Sequence, residues 1–405
     1  MGNKIVIVGN GIAGITAIKS IRKVDKETKI HLLGEESFYP YNRIRISKGL
    51  LDKLEEDNIL LQKKDWYESS GVVLQKDTKV ISVNPDKKEI TLSDNSKMNY
   101  TKLLLANGSS NMLPPIKGID KKGVLTLRNL EDAWNIVENA ELNEEILNIG
   151  GGIQGLETAW TLSQMGKKVT IAELSSRIMP KQIDEDASKI LKLAVEEQGV
   201  KIMLDTEITE IYGSNKVEGF KTSKGDLVPC DMITYCIGIK PNIELLQDSG
   251  VKTNKGIIVN EKMETNIKDI YAAGDVAEFD GKLYGLWNMA IEQGKVVGLN
   301  IVDEDSIYEH IIPVTTLNAF DISLFSMGTV DESEATDIIL ENKSEEKIYN
   351  KVFIKDNKVI GAIVIGNIKY SPILKTAIEK EICLKGVDYK NVSFDELLET
   401  IKERK

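Results

Sequence analysis

Two short stretches decide most of what this chain can fold into: KIVIVGNGIAG at residues 4–14 and ILNIGGGIQG at residues 146–155. Each is an apolar, β-branched run that enters a G-x-G-x-x-G turn and leaves it with apolar residues at helical spacing. Segments 4–8, 29–33, 146–149 and 168–172 read as buried parallel strands, short and bounded by glycine or charge. The helical pattern covers 12–24 in the first pair and 153–165 in the second, and Gly166 is placed to stop the second helix. These are two βαβ units, a large internal repeat that points to an α/β fold.

The glycines have separate tasks. Gly9 and Gly150 permit the tight turn. Gly11 and Gly152 remove a Cβ so that a pyrophosphate can approach the backbone, and Gly14 and Gly155 let helix and strand pack closely. Free N–H groups and the helix dipole favour the phosphate charge. A ligand-free glycine turn is the alternative; the strand–turn–helix context favours a dinucleotide. An acid after the second strand holds ribose hydroxyls. In the first unit Glu35 and Glu36 stand there, one of them readable as a solvated charge. In the second unit Glu173 ends the strand and suits the 2′-OH of NADH. A 2′-phosphate would face like charge, with repulsion of roughly 1 kcal/mol in water and up to about 4 kcal/mol near a protein surface. Arg177 is the nearby cation able to pair with such a phosphate. Two sites imply two dinucleotides, a carried flavin and a visiting nicotinamide. The alternative is a duplication with one site decayed, which the retained glycines and acids disfavour.

The 405 residues leave room for two or three domains. The Pro114-Pro115 pair, Pro241 and the strand ends suggest 1–111 with 240–305 as one discontinuous domain, 112–239 as a second, and 306–405 as a small C-terminal α/β domain. In the last, YNKVFIKDNKVIGAIVIG (349–366) reads as a hairpin turning at KDNK, followed by amphipathic helices at 371–383 and 394–403. A net charge of −11 argues against nucleic acid and anionic membrane as partners. No apolar run approaches bilayer length, no signal peptide is expected, and the three cysteines suit a reducing cytoplasm.

These motifs resemble the two-dinucleotide-binding-domain flavoproteins, the pyridine nucleotide–disulfide oxidoreductase superfamily, over about residues 3–300. IYAAGDVAE (270–278) is similar to its second FAD fingerprint, which implies that Asp275 binds the ribityl chain. KLLLANGSS (102–110) is similar to its A-T-G-S motif, with Asn107 in place of the usual Thr. YCIGIKPN (235–242) resembles the strand that returns from the NAD domain to the FAD domain. The resemblance implies two Rossmann-like domains, for FAD and NAD, with a small C-terminal α/β domain. The FAD contacts it implies are Gly9, Gly11, Ala13, Gly14, Glu35, Glu36, Arg43, Lys48, Val80, Ala106, Gly108, Gly274, Asp275 and Trp287. Those for NAD are Gly150, Gly152, Ile153, Gly155, Glu157, Glu173 and Gly238.

The subgroup follows from what is missing. No cysteine precedes Cys230, so the redox thiols of the disulfide reductases have no counterpart, and Cys230 and Cys236 read as small buried hydrophobes. In their place YPYNRIRISKGL (39–50) resembles the P-Y-x-R-x-x-L-S-K motif of ferredoxin and rubredoxin reductases, nitrite reductase flavin domains and apoptosis-inducing factor. By that resemblance Arg43 contacts the FAD pyrophosphate region, Lys48 approaches the flavin, and Glu157 pairs with Lys48 beside the nicotinamide; these two are the catalytic candidates. On the residues alone Lys48 reads as a surface lysine. YGLWNMAIEQG (284–294) resembles the group's W-x-N-A-x-x-Q-G helix start, placing Trp287 near the flavin, though a core aromatic is an equal reading of the sequence. His31 and His310 have no catalytic part, and no His/Cys cluster has metal spacing.

The function so implied is FAD-dependent electron transfer from NADH to a one-electron iron carrier such as rubredoxin. The alternatives are an NADH oxidase or ferredoxin reductase with the same flavin chemistry, or an NADH-sensing interaction protein resembling apoptosis-inducing factor. Monomer and homodimer are both open. An acidic carrier needs a local positive face, and Arg43, Arg45, Lys48 and Lys53 supply a candidate.

Overall fold

The computed structural model describes residues 4–51 and 54–405; Lys53 of the expected positive face lies outside them. The apolar runs form all-parallel sheets, because strands buried on both faces have no polar side to show water. The first sheet runs Ile270–Ala272, Lys102–Leu105, Lys4–Val8, Lys29–Leu33, Val72–Gln75. Its register brings Val8 level with Leu33 and Leu105, so the strands end together where the Gly9 turn begins. Helix α1 (Ile12–Val24) follows that turn, over the residues the periodicity predicts, and the short helices α2 (Ile44–Lys48) and α3 (Lys64–Ser69) lie beyond the second strand.

The second sheet repeats the design in the order Lys201–Met203, Lys168–Ala172, Glu145–Ile149, Met232–Tyr235, Val124–Thr126. Helix α4 (Leu130–Leu142) starts at a reciprocal cap between Asn129 and Asp132. Helix α5 (Ile153–Gln164) starts at Gly152 with no side-chain cap and is followed by Gly166 at φ +78°. Helix α6 (Glu185–Glu197) is capped by Asp184. The two crossings between the units pair antiparallel, Ser109–Asn111 with Ile239–Pro241. Asn107 and Asn242 reinforce them, each donating its amide to the other's carbonyl at 2.7 and 2.9 Å. Helix α7 (Trp287–Ile301) returns to lie on α1. Gly294 and Gly298 allow it, since a Cβ at either would stand 2.6 or 2.5 Å from a backbone oxygen of α1.

The C-terminal part is a five-stranded antiparallel sheet in the order Val314–Ala319, Ile322–Gly328, Lys358–Ile365, Ile348–Lys355, Asp337–Lys343. Helices α8 (Ser371–Glu379) and α9 (Phe394–Glu403) accompany it. The expected hairpin turn is present, with Asp356 and Asn357 both at positive φ. The helix expected over 371–383 ends at Glu379: Glu381 takes φ +49°, which turns Ile382 and Leu384 into the core. One continuous apolar cluster joins this sheet (Leu317, Phe320, Tyr349, Phe353) to the second unit (Ile146, Leu156, Ala159) and to Tyr41, Ile46 and Leu50 of the first. Among the described residues no helix is long and apolar enough to cross a membrane.

Candidate functional site

The two glycine turns have the same geometry. A Cβ on Gly9, at φ +102°, would stand 2.1 Å from Ala106 O; one on Gly150, at φ +110°, 2.5 Å from Cys236 O. A Cβ on Gly14 or Gly155 would run into the carbonyl of Gly9 or Gly150 at 2.5 and 2.1 Å. Gly11 and Gly152 differ: a Cβ there meets nothing within 4 Å. The middle glycines therefore face open space at uncapped helix starts, α1 and α5, and Ile153 is the first residue of the second. Backbone donors without internal partners beside such a gap fit a dinucleotide pyrophosphate.

Around the first turn the fold gathers distant segments. Gly274, at φ +81°, presents its Cα face to Ala13 and Ala290, and its N–H donates to Gln293 Oε1 at 2.8 Å. Ala106 and Val80 are buried in the same core, and Gly108 takes φ +67° beside Arg128. Asp275 Oδ2 accepts from Ser109 Oγ at 2.9 Å and Arg128 Nη2 at 2.8 Å. Asn107 Oδ1 is buried without a hydrogen-bond partner among the described residues. Trp287 is half-buried at the first residue of α7.

The two acids of the first unit part company. Glu36 pairs with Arg43 and accepts from Tyr41 Oη at 2.6 Å, and burial pushes that phenol up so that it remains a donor. Arg43 also donates to Arg128 O at 3.0 Å and lies over the Tyr41 ring, so its guanidinium is held by the protein itself. Glu35 is exposed and pairs with Lys79 at 2.6 Å. In the second unit Glu173 lies against its turn, accepting from Gly151 N at 2.6 Å and Ser175 N at 2.8 Å. Arg177 folds back on its own loop, donating to Pro180 O at 3.1 Å. Gly238, at φ +118°, is exposed near Met112.

Between the units Lys48 Nζ stands 3.5 Å from Glu157 Oε1. Lys48 ends α2 and Glu157 lies buried on α5, so the pair bridges the first and second units. Ser47 Oγ donates to the other carboxylate oxygen at 2.6 Å. Of the expected positive face, Arg43 is turned inward and Lys48 toward Glu157, while Arg45 is exposed.

Sequence reasoning passed over Arg128, Gln293 and Ser47. One signal for Arg128 was available: a cation directly ahead of a capped helix start sits at the unfavourable end of the dipole and needs a carboxylate elsewhere, here Asp275.

All three cysteines are free, and burial pushes the thiols of Cys230 and Cys236 up to about 12. Among the described residues no group of His, Cys, Asp and Glu is arranged to hold a metal ion. His31 is buried in its strand, and burial lowers its pKa. His310 is exposed beside Asp280.

Residues 3–294 match the family described as pyridine nucleotide-disulphide oxidoreductase, and residues 313–382 match the rubredoxin NAD+ reductase C-terminal domain. The chain is 35% identical to the nitrite reductase (NAD(P)H) of Bacillus subtilis over 94% of its own length, but spans only 48% of that relative. It is 33% identical to the NADH-rubredoxin oxidoreductase of Clostridium acetobutylicum, over 93% of this chain and 94% of the relative. The crystal structure of NADH:rubredoxin oxidoreductase from Clostridium acetobutylicum superposes with a TM-score of 0.81 at 32% identity, covering 98% of this chain and 100% of that one. The paired glycine turns and the sheets that carry them thus have known counterparts along nearly the whole polypeptide, and the chain belongs to the pyridine nucleotide-disulphide oxidoreductase family.

Proposed function

We propose that this protein oxidises NADH and passes the electrons through bound FAD to a small one-electron carrier, with rubredoxin as the acceptor. The observation that carries this reading is the Lys48–Glu157 pair spanning the two nucleotide units, at a junction where the first unit holds no cysteine. The similarity to an NADH-rubredoxin oxidoreductase over 94% of that relative and the match of residues 313–382 support the choice of carrier.

In this reading residues 1–111 and 240–305 form the FAD domain, 112–239 the NAD(H) domain and 306–405 the C-terminal domain. FAD, when bound, supplies the conversion between a two-electron donor and a one-electron acceptor. The chain's own residues bind and orient. The Gly9–Gly14 turn admits one pyrophosphate and the Gly150–Gly155 turn the other. Asp275, which accepts from Ser109 and Arg128, would hold the ribityl hydroxyls of FAD, and Gly274, Ala13 and Trp287 would contact the same cofactor. Glu173 receives the ribose hydroxyls of NADH. Lys48 holds a positive charge at the junction and Glu157 restrains it. No general base is needed. The free cysteines fit a reducing cytoplasm.

The test is the visible spectrum of the purified protein under anaerobic NADH titration, followed by rubredoxin, ferredoxin or oxygen in parallel. A yellow protein that bleaches with NADH and recolours fastest with rubredoxin is expected. A colourless protein that FAD cannot reconstitute sinks the proposal. Recolouring by oxygen as fast as by either carrier moves it to an NADH oxidase.

A further inference from the structure

The carboxylate of Glu157 is divided. Ser47 Oγ donates to Oε2 at 2.6 Å, while Lys48 Nζ lies 3.5 Å from Oε1. An unhindered ammonium closes to about 2.8 Å on a carboxylate, so the neutral hydroxyl holds the nearer position and the charge the farther one. The backbone accounts for this. Thr161 Oγ1 stands 3.1 Å from Ser47 O and 2.9 Å from Glu157 O, which ties the last turn of α2 to α5 at Ser47. Ser47 is buried, and the Glu157 side chain is only 11% exposed, so bulk water does not replace the hydroxyl. The Lys48 side chain is 47% exposed and keeps room to move.

We propose that Ser47 is a positioning residue: by occupying one oxygen of Glu157 it keeps that carboxylate from closing on Lys48, and leaves the ammonium half-engaged at the junction. The inference rests on the proposed function and on the flavin of FAD lying beside Lys48, as the resemblance of residues 39–50 implies. A lysine charge that is not fully paired favours negative charge developing near it; a fully paired one favours it less. Ser47→Ala removes the competing donor, and Glu157 then turns both oxygens to Lys48.

Two measurements on the FAD-loaded protein test this. The midpoint potential of the bound flavin, followed by stepwise dithionite reduction without NADH, moves negative in Ser47→Ala. It does so in the same direction as in Lys48→Met and opposite to Glu157→Gln. In stopped flow, the limiting rate of flavin reduction by NADH falls about tenfold, while the NADH concentration giving half the limiting rate stays close to that of the unaltered protein. Ser47→Thr, which keeps the hydroxyl, restores both. If Ser47→Ala does not hold FAD, Ser47→Cys, of similar size but a weak donor, takes its place. A Ser47→Ala potential equal to that of the unaltered protein, or one displaced in the same direction as Glu157→Gln, overturns the inference. Failure of the functional reading looks different: the FAD-loaded protein would not be bleached by NADH at all, and the order of dithionite potentials would still report on Ser47.

Discussion

Glu173 is pinned at both oxygens, by Gly151 N and Ser175 N, and so cannot swing away from whatever lies beside the second turn. Arg177 is engaged with Pro180 O and stands in no ion pair with Glu173 among the described residues. A 2′-phosphate would thus meet a fixed charge with a repulsion of about 1–4 kcal/mol. NADH should exceed NADPH in kcat/KM by at least about tenfold, and Glu173→Gln should narrow the ratio by improving NADPH. Equal values in the unaltered protein would refute the assignment. The cysteines yield a second expectation at this scale. With Cys230 and Cys236 raised to about 12 and Cys383 exposed, a thiol reagent at pH 8 should titrate Cys383 alone in the native protein and all three in denaturant. Rapid reaction of Cys236 would reopen a sulfur role. What a single sequence hides at this scale is partnership across distance. Arg128 and Asp275 are 147 positions apart and meet only because two crossings bring their segments together. Arg43 is in the expected motif, and its pairing with Glu36 across an irregular loop is one that no periodicity announces.

Among elements, the glycine turns separate two physical roles that a motif merges. Gly155→Ala places a Cβ 2.1 Å from Gly150 O, backbone against backbone, so the helix start must move. Overpacking of this kind costs about 1–3 kcal/mol. Gly152→Ala adds a methyl where nothing lies within 4 Å. The first change should lower the thermal midpoint by several degrees. The second should leave it nearly unchanged while weakening NADH binding about tenfold or more, read as a dissociation constant by fluorescence. Equal losses of stability would show that Gly152 faces protein and not ligand space. The units built on these turns were legible almost to the residue: α1 spans the predicted 12–24, and α5 closes before Gly166 as predicted. Their strands are apolar on both faces and punctuated by glycine. The C-terminal sheet was legible only over 349–366, where the KDNK turn marks two apolar strands as a hairpin; the interior strand Ile322–Gly328 has no such punctuation and was not read. Val314–Ala319 and Asp337–Lys343 are edge strands with polar outer faces, and their alternation is too weak to distinguish them from loops.

At the scale of the molecule, the C-terminal sheet is fastened to the second unit by charge as well as by apolar contact. Lys351, whose side chain is 4% exposed, lies 2.7 Å from Asp184 Oδ2 and also pairs with Glu332. Tyr349 Oη donates to the same Asp184 oxygen at 2.7 Å. Burial alone would lower the Lys351 pKa, but hydrogen bonds to Asp184 and Glu332 raise it, so the lysine stays charged in the interface. Phe320 of the sheet meets Trp160 on α5 with ring centroids 5.0 Å apart. Helix α5 therefore carries Glu157 at the junction between units and Trp160 against the sheet, and whatever loosens the sheet reaches the helix that positions Glu157. Lys351→Met leaves Asp184 without its counter-charge in a buried place. Breaking such a pair costs about 3 kcal/mol, so the thermal midpoint should drop by several degrees. Since one apolar cluster runs through the sheet and the second unit, the drop should appear as a displacement of their common transition in calorimetry. A new transition at lower temperature, with the main one unmoved, would mean that the sheet unfolds alone; α5 would then not depend on it for support.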